Sequence, residues 1–521
     1  MMLKQLEANW RYLLITPLLL TALCTAFVKH NGINITNPEA LLSYLSLFIL
    51  GLVPGIIMIF GGLLLRLLTI SGLLVFFLLS QLKGLPVLPF GLKYSYVGPF
   101  ILVGLMAFLY CIREKLDRFL LIIFTVFWVG AFFTHQPPLL LVQNFPAYQT
   151  KDSAKLPPYI EIVLDEQIGI HGGLLLEKDT HYFSKDLIDE YVNKGFVVYG
   201  QAYSRDFQTL SSFASFLNFK PVENLDEYLQ QDKGVNSITQ NKLFEELSEK
   251  GYEISVLQSS YVDVCEFKNQ INLKRCSTYN YAAPIPYPMA NIKEKSIDII
   301  DNIFSVVPYF NKLSHTLITL LFQDSKRQTI VEASTATYRA FPEMLQLAKD
   351  VSPGNAYFIH LLIPHYPYVF SADCEYLGDR GKTIAAYVEQ VKCAHRMMDK
   401  FLHVLSNNPA AANSTIVIHG DHGFRIPKPS SKKSYSFTTE NISKTYNTFF
   451  VVKSPIIRPG YNTALLPIDY ILKNIMAQKP IDPYNPKKQF VYLRSDKHTD
   501  KPFDRGVATM PQIVGENQPD A

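Results

Sequence analysis

Apolar residues over the first 135 positions come in long unbroken runs. Beyond that point they alternate with polar residues at the periods of strands and helices. Five runs stand out, at about 12–28, 42–65, 67–82, 97–112 and 119–134. A helix that crosses a bilayer needs roughly 20 apolar residues, within a range of about 17–25. The first, second and fifth runs meet that length, and the third and fourth need their flanks. Only Arg66 separates runs two and three, which implies a tight hairpin. These runs leave no polar face for water, so a buried helix pair in a soluble core does not account for them. The first run follows Lys4 and Arg11, as a secretory signal would. No small-residue cleavage site clearly follows it and four more runs do, so it reads as a retained helix. The pattern predicts a five-helix transmembrane domain over residues 1–135.

Residues 136–158 carry Pro137, Pro138, Pro146, Pro157 and Pro158 and read as a linker, with 139–145 lying along a membrane surface. Strand patterns follow at 159–164, 196–199, 253–258, 356–363, 414–419 and 448–453. Helical patterns lie between them at 184–193, with Ser184 as N-cap, and at 209–218, 240–250 and 382–405. Strands alternating with helices predict an α/β layered fold with a mostly parallel sheet over 159–497. Residues 498–521 are polar and read as a loose tail.

Charge sharpens the division. Only thirteen of the 94 Asp, Glu, Lys and Arg residues fall in 1–135. Lys4, Arg11, Arg66, Arg113, Lys115 and Arg118 would share one side of the membrane, against Lys29, Lys83 and Lys93 on the other. Six against three puts the N-terminus in the cytoplasm and, after five crossings, residues beyond 135 outside it. The net charge of +4, without a dense basic block, argues against a nucleic-acid partner. The C-terminal part holds four cysteines, Cys265, Cys276, Cys374 and Cys393. An even number in an oxidising compartment suggests disulfides. Of the three pairings open to them, the local one, 265–276 with 374–393, is preferred.

In open α/β sheets, ligands bind beyond the carboxyl ends of the strands. The strand at 159–164 is followed by Asp165 and Glu166, that at 356–363 by Pro364 and His365, and that at 414–419 by Gly420, Asp421, His422 and Gly423. Carboxylates and imidazoles delivered to one sheet edge suit Zn²⁺ or Mn²⁺, and carboxylates alone suit Mg²⁺ or Ca²⁺. Gly420 and Gly423 would allow a tight turn that points Asp421 and His422 the same way. Thr209 opens a helix, where backbone N–H groups favour an oxyanion. Arg425 follows the last motif and could clamp a substrate anion. His419 reads as a supporting residue. His395 and His403, on the long helix, read as packing or exposed residues, and His171 and His181 have no evident pairing.

The order of these motifs resembles the alkaline phosphatase/sulfatase superfamily: VLDE at 163–166, QTLSS at 208–212, IPHYP at 363–367 and HGDHG at 419–423. With five N-terminal spans, the layout is similar to its membrane-anchored phosphoethanolamine and phosphoglycerol transferases. The resemblance implies an alkaline-phosphatase-like α/β/α domain. It implies a metal held by Glu166, Thr209, Asp421 and His422, with Asp165 as a further ligand and His365 on the substrate phosphate or a second metal. It implies Thr209 as nucleophile, a membrane phospholipid donor, and a surface glycan or lipid acceptor. With water as acceptor the same site would be a phosphodiesterase or phosphatase. A sulfatase would share the metal site, but the chain has no Cys-x-Pro-x-Arg or Ser-x-Pro-x-Arg motif for formylglycine. No histidine lies between His422 and His498, where phosphoethanolamine transferases carry one. A non-catalytic protein on a degenerate fold would not need the full site set.

Overall fold

The structure, a computed structural model, describes residues 2–31, 33–81, 94–134, 140–146, 155–176, 182–232, 235–266, 271–280, 291–305, 333–378, 380–425, 438–481, 484–493 and 506–512. The basic loop residues Lys83 and Lys93, together with His181 and His498, lie outside the described residues. The chain divides into two compact units, Met1–Pro138 with Pro284–Ile330, and Leu139–Ala283 with Val331–Ala521.

Each of the five apolar runs forms a helix in the first unit: α1 (Met2–His30), α2 (Pro38–Phe60), α3 (Leu63–Gln81), α4 (Tyr94–Cys111) and α5 (Leu116–Ala131). Among the described residues, two stretches, Asn9–His30 and Pro38–Phe60, are long and apolar enough to cross a membrane by length and composition. α1 and α2 approach closely because α2 carries glycine where they meet. A Cβ on Gly51 would lie 2.7 Å from the Pro17 backbone nitrogen, and one on Gly55 2.9 Å from Leu13 Cα. Leu41, Leu45, Ile49 and Val53 of α2 are exposed, as are Ile122 and Val126 of α5. At one end of the bundle Arg11 pairs with Asp117 at 3.0 Å, and Arg66 stacks over Tyr12 at 4.4 Å. Arg66 thus meets α1 at the residue after Arg11, with which it is expected to share one side of a membrane. The helix Ile292–Ser305 also belongs here, and its Ile299 and Ile303 pack with Leu20, Val28 and Leu47. The sequence pattern places that segment within the α/β domain.

The second unit is built on a nine-stranded sheet. Its strands are β1 (Leu140–Asn144), β2 (Tyr159–Leu164), β3 (Val197–Tyr199), β4 (Glu253–Ser259), β5 (Leu273–Tyr279), β6 (Asn355–Leu361), β7 (Thr415–Gly420), β8 (Phe450–Lys453) and β9 (Gly460–Asn462). They lie in the order β1-β5-β4-β6-β2-β7-β8-β3-β9. The central run from β5 to β7 is parallel throughout, while β1 and β8 run antiparallel to their neighbours. Every residue of β2 and β6 is buried, so both faces of the central sheet are covered. Phe213, Phe216, Phe244, Phe358, Val417 and Phe450 share one core cluster.

Strand β2 has the predicted bounds, and the other predicted strands and helices recur with ends shifted by up to three residues. Three readings need correction. Leu140–Asn144 does not lie along a surface as a free linker but pairs with β5 as an edge strand, Leu140 opposite Tyr279. Residues 506–509 of the tail pair with Phe490–Leu493 and are not loose. Ser184 is no N-cap: it sits in a π-helical turn, Tyr182–Asp186, and the helix Leu187–Asn193 begins after Asp186. Periodicity cannot see edge pairing, because the partner strand is distant in sequence. Both expected disulfides form, Cys265–Cys276 and Cys374–Cys393.

A candidate metal and anion site at the sheet edge

Strands β2, β6 and β7 are adjacent and parallel, so their carboxyl ends bring Asp165, His365, Asp421 and His422 to one place. Asp165, Asp421 and His422 are fully buried, with ligand atoms all within 4.8 Å of one another. His422 Nε2 lies 3.5 Å from Asp421 Oδ2 and 3.9 Å from Asp165 Oδ1. The His422 Nδ1–H donates to the Gly423 carbonyl at 2.8 Å, which makes Nε2 the acceptor nitrogen, and its lone pair takes an N–H of Arg425 Nη2 at 2.8 Å. Asp421 Oδ1 accepts from the backbone N–H groups of Glu166 at 2.9 Å and His422 at 2.8 Å. Its other oxygen, Oδ2, and Asp165 Oδ1 are buried without a hydrogen-bond partner. Two buried orphan carboxylate oxygens, beside a His422 Nε2 that becomes available when Arg425 turns to a bound anion, make a donor set that fits a divalent cation.

Electrostatics describe the same strain. Burial raises the Asp421 carboxyl well above its usual range, and the nearby charge of Asp165 adds to it. Burial also pushes Asp165 up, but the imidazoles of His365, His360 and His422 outweigh it and hold it below its usual range. Burial, then the Arg425 charge, lowers His422 to about 3. The imidazole is therefore neutral and able to ligate at physiological pH.

Thr209 is the first residue of helix α6 (Thr209–Leu217), and Gln208 is the N-cap. The Thr209 side chain is thus free of capping duty. Its hydroxyl donates to Asp165 Oδ2 at 3.4 Å and accepts from Arg425 Nη2 at 3.3 Å. Ser212, one turn on, donates to the Asp421 carbonyl at 2.5 Å and meets Ser204 at 2.9 Å, tying α6 to the β7 loop. Arg425 spans the cleft. Its Nη2 donates to His422 Nε2 at 2.8 Å, Nη1 reaches His365 Nε2 at 3.3 Å, and Nε donates to the Phe207 carbonyl. One guanidinium therefore faces Thr209, His365 and His422 together, and the geometry suits a tetrahedral oxyanion.

Glu166 corrects the expected ligand set. It adopts φ +65, and its carboxylate lies outside the Asp165–Asp421–His422 group. Oε1 accepts from the Arg425 N–H at 2.9 Å and from the Tyr368 hydroxyl at 3.3 Å, and Oε2 from the Tyr366 N–H at 3.3 Å. The left-handed turn sends adjacent side chains in different directions, so Asp165, rather than Glu166, faces Asp421 and His422, and Glu166 braces the loops. The glycines also act otherwise than expected. Neither Gly420 nor Gly423 has a left-handed φ, but a Cβ on Gly420 would lie 2.4 Å from the Gln167 carbonyl, and one on Gly423 2.4 Å from that of Lys444. Their role is space for a crossing backbone.

Some supporting residues carry no motif. Gln390, on helix α7 (Ile384–Ser406), accepts from Val369 N–H at 2.7 Å and donates to the Pro364 and His365 carbonyls at 3.0 Å each, which fixes the IPHYP turn. Tyr387 on the same helix donates to the Glu166 carbonyl at 2.6 Å. His360 on β6 lies 3.6 Å from Asp165 and was hidden in an apolar strand pattern. His419 contacts Glu161 at 3.2 Å beneath the site, a supporting place as expected.

A family model described as Sulfatase matches residues 179–478, more than half of the chain. The chain belongs to that family. The matched segment contains Thr209, His365, Asp421, His422 and Arg425. No curated protein in the comparison matches the chain. Similar solved structures include an alkaline phosphatase superfamily protein from Vibrio parahaemolyticus, at 12% identity and TM-score 0.40, over 72% of this chain and 79% of that one. The C-terminal periplasmic domain of EcEptC from Escherichia coli, in complex with zinc, is 13% identical with TM-score 0.36, over 68% and 89%. A putative sulfatase from Bacteroides thetaiotaomicron is 14% identical with TM-score 0.39, over 63% and 72%.

Proposed function

We propose that this chain is a membrane-anchored phosphotransferase. It moves a phospho-head group, of the phosphoethanolamine or phosphoglycerol type, from a membrane phospholipid to a hydroxyl on a surface glycan or lipid. The observation that carries this reading is the Thr209 hydroxyl, at a helix N-terminus and free of capping, between Asp165 and Arg425. Asp165, Asp421, His422 and Thr209 would hold a divalent cation, Zn²⁺ or Mn²⁺ by the mixed oxygen and nitrogen donors, with Mg²⁺ or Ca²⁺ as alternatives. When bound, such an ion favours the threonine alkoxide and offsets charge on the phosphoryl group.

Thr209 Oγ1 attacks phosphorus as its proton passes to Asp165 Oδ2, which returns it to the departing diacylglycerol oxygen. The bond to the diacylglycerol oxygen breaks, and diacylglycerol leaves as the alcohol. Arg425 and the His365 imidazole hold the phosphoryl oxygens, while the first turn of α6 presents backbone N–H groups. The acceptor hydroxyl then attacks the phosphothreonine and restores Thr209. The five apolar helices would place the lipid donor within reach, with the N-terminus cytoplasmic and the catalytic unit outside the cytoplasm. The two disulfides support an oxidising location for that unit.

Hydrolysis is the second reading, favoured by the family itself. With water as acceptor the same steps release a free phosphate ester. Sulfate-ester hydrolysis through formylglycine would start from Cys or Ser, whereas threonine stands at the helix start. The test is turnover of head-group-labelled phospholipid by the full chain, with metal analysis, in wild type and Thr209→Ala. Labelled phosphothreonine in wild type and none in the variant supports the proposal; full turnover by Thr209→Ala rejects it. Label in water-soluble product without any acceptor favours the hydrolase.

A further inference from the structure

We propose that His360 is a positioning residue of this site, holding the Asp165 carboxylate so that Oδ1 faces the cation and Oδ2 faces Thr209. The inference rests on the metal reading given above. His360 on β6 and His419 on β7 both pair in register with Val163 of β2, so two imidazoles flank one position of the central strand. Helix α6 lies over both: Phe213 meets His360 edge-on at 4.7 Å, and Phe216 meets His419 at 5.0 Å. The two histidines differ in one respect. His419 is satisfied, with Nε2 on Glu161 at 3.2 Å and Nδ1 on the Gly420 carbonyl at 2.9 Å. His360 is fully buried, and neither ring nitrogen has a hydrogen-bond partner.

A buried histidine with both nitrogens unpartnered costs stability and calls for a reason. The charged group facing His360 Nε2 is Asp165 Oδ2, at 3.6 Å. The same oxygen receives the Thr209 hydroxyl at 3.4 Å, while Oδ1 stays unpartnered. Both approaches are slightly long, and hydrogen bonds in catalytic sites often tighten only when the site is filled. Drawing Oδ2 toward His360 would turn Oδ1 toward Asp421 Oδ2 and His422 Nε2. Phe213 on the ring and the Tyr279 hydroxyl on the His360 carbonyl, at 2.9 Å, hold the imidazole in place for this. Partners that orient a ligating side chain typically matter by about 10–100-fold in metal affinity.

The test compares His360→Gln with His360→Asn in the full-length protein in detergent, titrated with Zn²⁺ against a chromogenic chelator. A Gln amide nitrogen reaches about as far as Nε2 and can still donate to Asp165, whereas an Asn amide ends short of it. The expected result is zinc affinity within about threefold of wild type for Gln and a loss of about 10–100-fold for Asn. Turnover at saturating zinc should follow the same order. Equal zinc affinity in the two folded variants, whether retained or lost, overturns the proposal. If His360→Asn does not fold, His360→Leu, which has bulk and no donor, takes its place in the same comparison. Wild type that binds no zinc or other divalent ion would reject the metal reading itself, an outcome seen before any variant is made.

Discussion

Asp165 and Glu166 are neighbours of the same charge, yet they belong to different parts of the site. Asp165 faces Asp421, His422 and Thr209, and Glu166 holds the backbone of Arg425 and the Tyr366–Tyr368 turn. Sequence places both after a strand, but the backbone twist at φ +65 decides which one points where. Asp165→Asn is therefore expected to abolish stoichiometric metal binding and lower turnover by about a thousandfold or more, on the scale of losing a central electrostatic group. Glu166→Gln is expected to keep the metal and to raise KM for the anionic substrate several-fold, because a single amide oxygen cannot accept from both the Arg425 and the Tyr366 N–H groups. Metal content by elemental analysis, beside a kcat and KM determination, separates the two. Metal loss in Glu166→Gln with retention in Asp165→Asn would reverse the assignment made here.

Helix α6 joins chemistry to core. Its first residue is Thr209, the proposed nucleophile, its second turn is apolar against β6 and β7, and Ser212 ties it to the carbonyl of Asp421. The helix was legible from its spacing and starts at Thr209 as expected. The hydrogen bond that orients it was not, since its partner is 209 positions away. Ser212→Ala leaves the buried Asp421 carbonyl short of a donor, at a cost of about 1–3 kcal/mol. We expect a lower melting temperature and a roughly tenfold lower kcat with little change in KM. Unchanged kcat with the same loss of stability would make Ser212 a packing residue only. Gly423→Ala must push a Cβ against the Lys444 and Asn447 carbonyls, at 2.4 and 2.5 Å, so the folded protein should be recovered poorly or not at all.

At the scale of the whole molecule, the described residues 291–305 group with the N-terminal helices although they interrupt the second unit in sequence. A chain cut to start at Leu139 would keep the helix Ile292–Ser305 while losing its partners Leu20, Val28 and Leu47. It is expected to need detergent or to aggregate, and replacing 284–330 by a short polar linker should restore a monodisperse protein on size-exclusion chromatography. Equal behaviour of the two truncations would argue against this grouping. Two buried imidazoles contribute to the expected acid response. Burial lowers His395 to about 3, and His171 to about 4, from an ordinary 6.5. A histidine lowered on folding contributes stability above the unfolded pKa and loses it as pH falls toward the folded one. Each such group should therefore steepen the loss between about pH 6.5 and 4, by up to ~1.4 kcal/mol per pH unit. His395→Phe, placed among Tyr191 and Phe449, is expected to flatten the melting temperature against pH over that window. A slope equal to wild type would show that His395 does not set it.

The sequence by itself determined the division into an apolar helical part and an α/β part, the strands that end at the site, and the residue types gathered there. Hydrophobic period and strand-end polarity are local quantities, and they survive translation into three dimensions. The tertiary structure alone decided which of two adjacent carboxylates joins Asp421 and His422, and that Arg425 bridges Thr209, His365 and His422. It also decided that a histidine inside an apolar strand stands behind Asp165, and that a late segment packs with the first helices. Each of these depends on a backbone turn or on a contact between residues far apart in the chain, which no local pattern encodes.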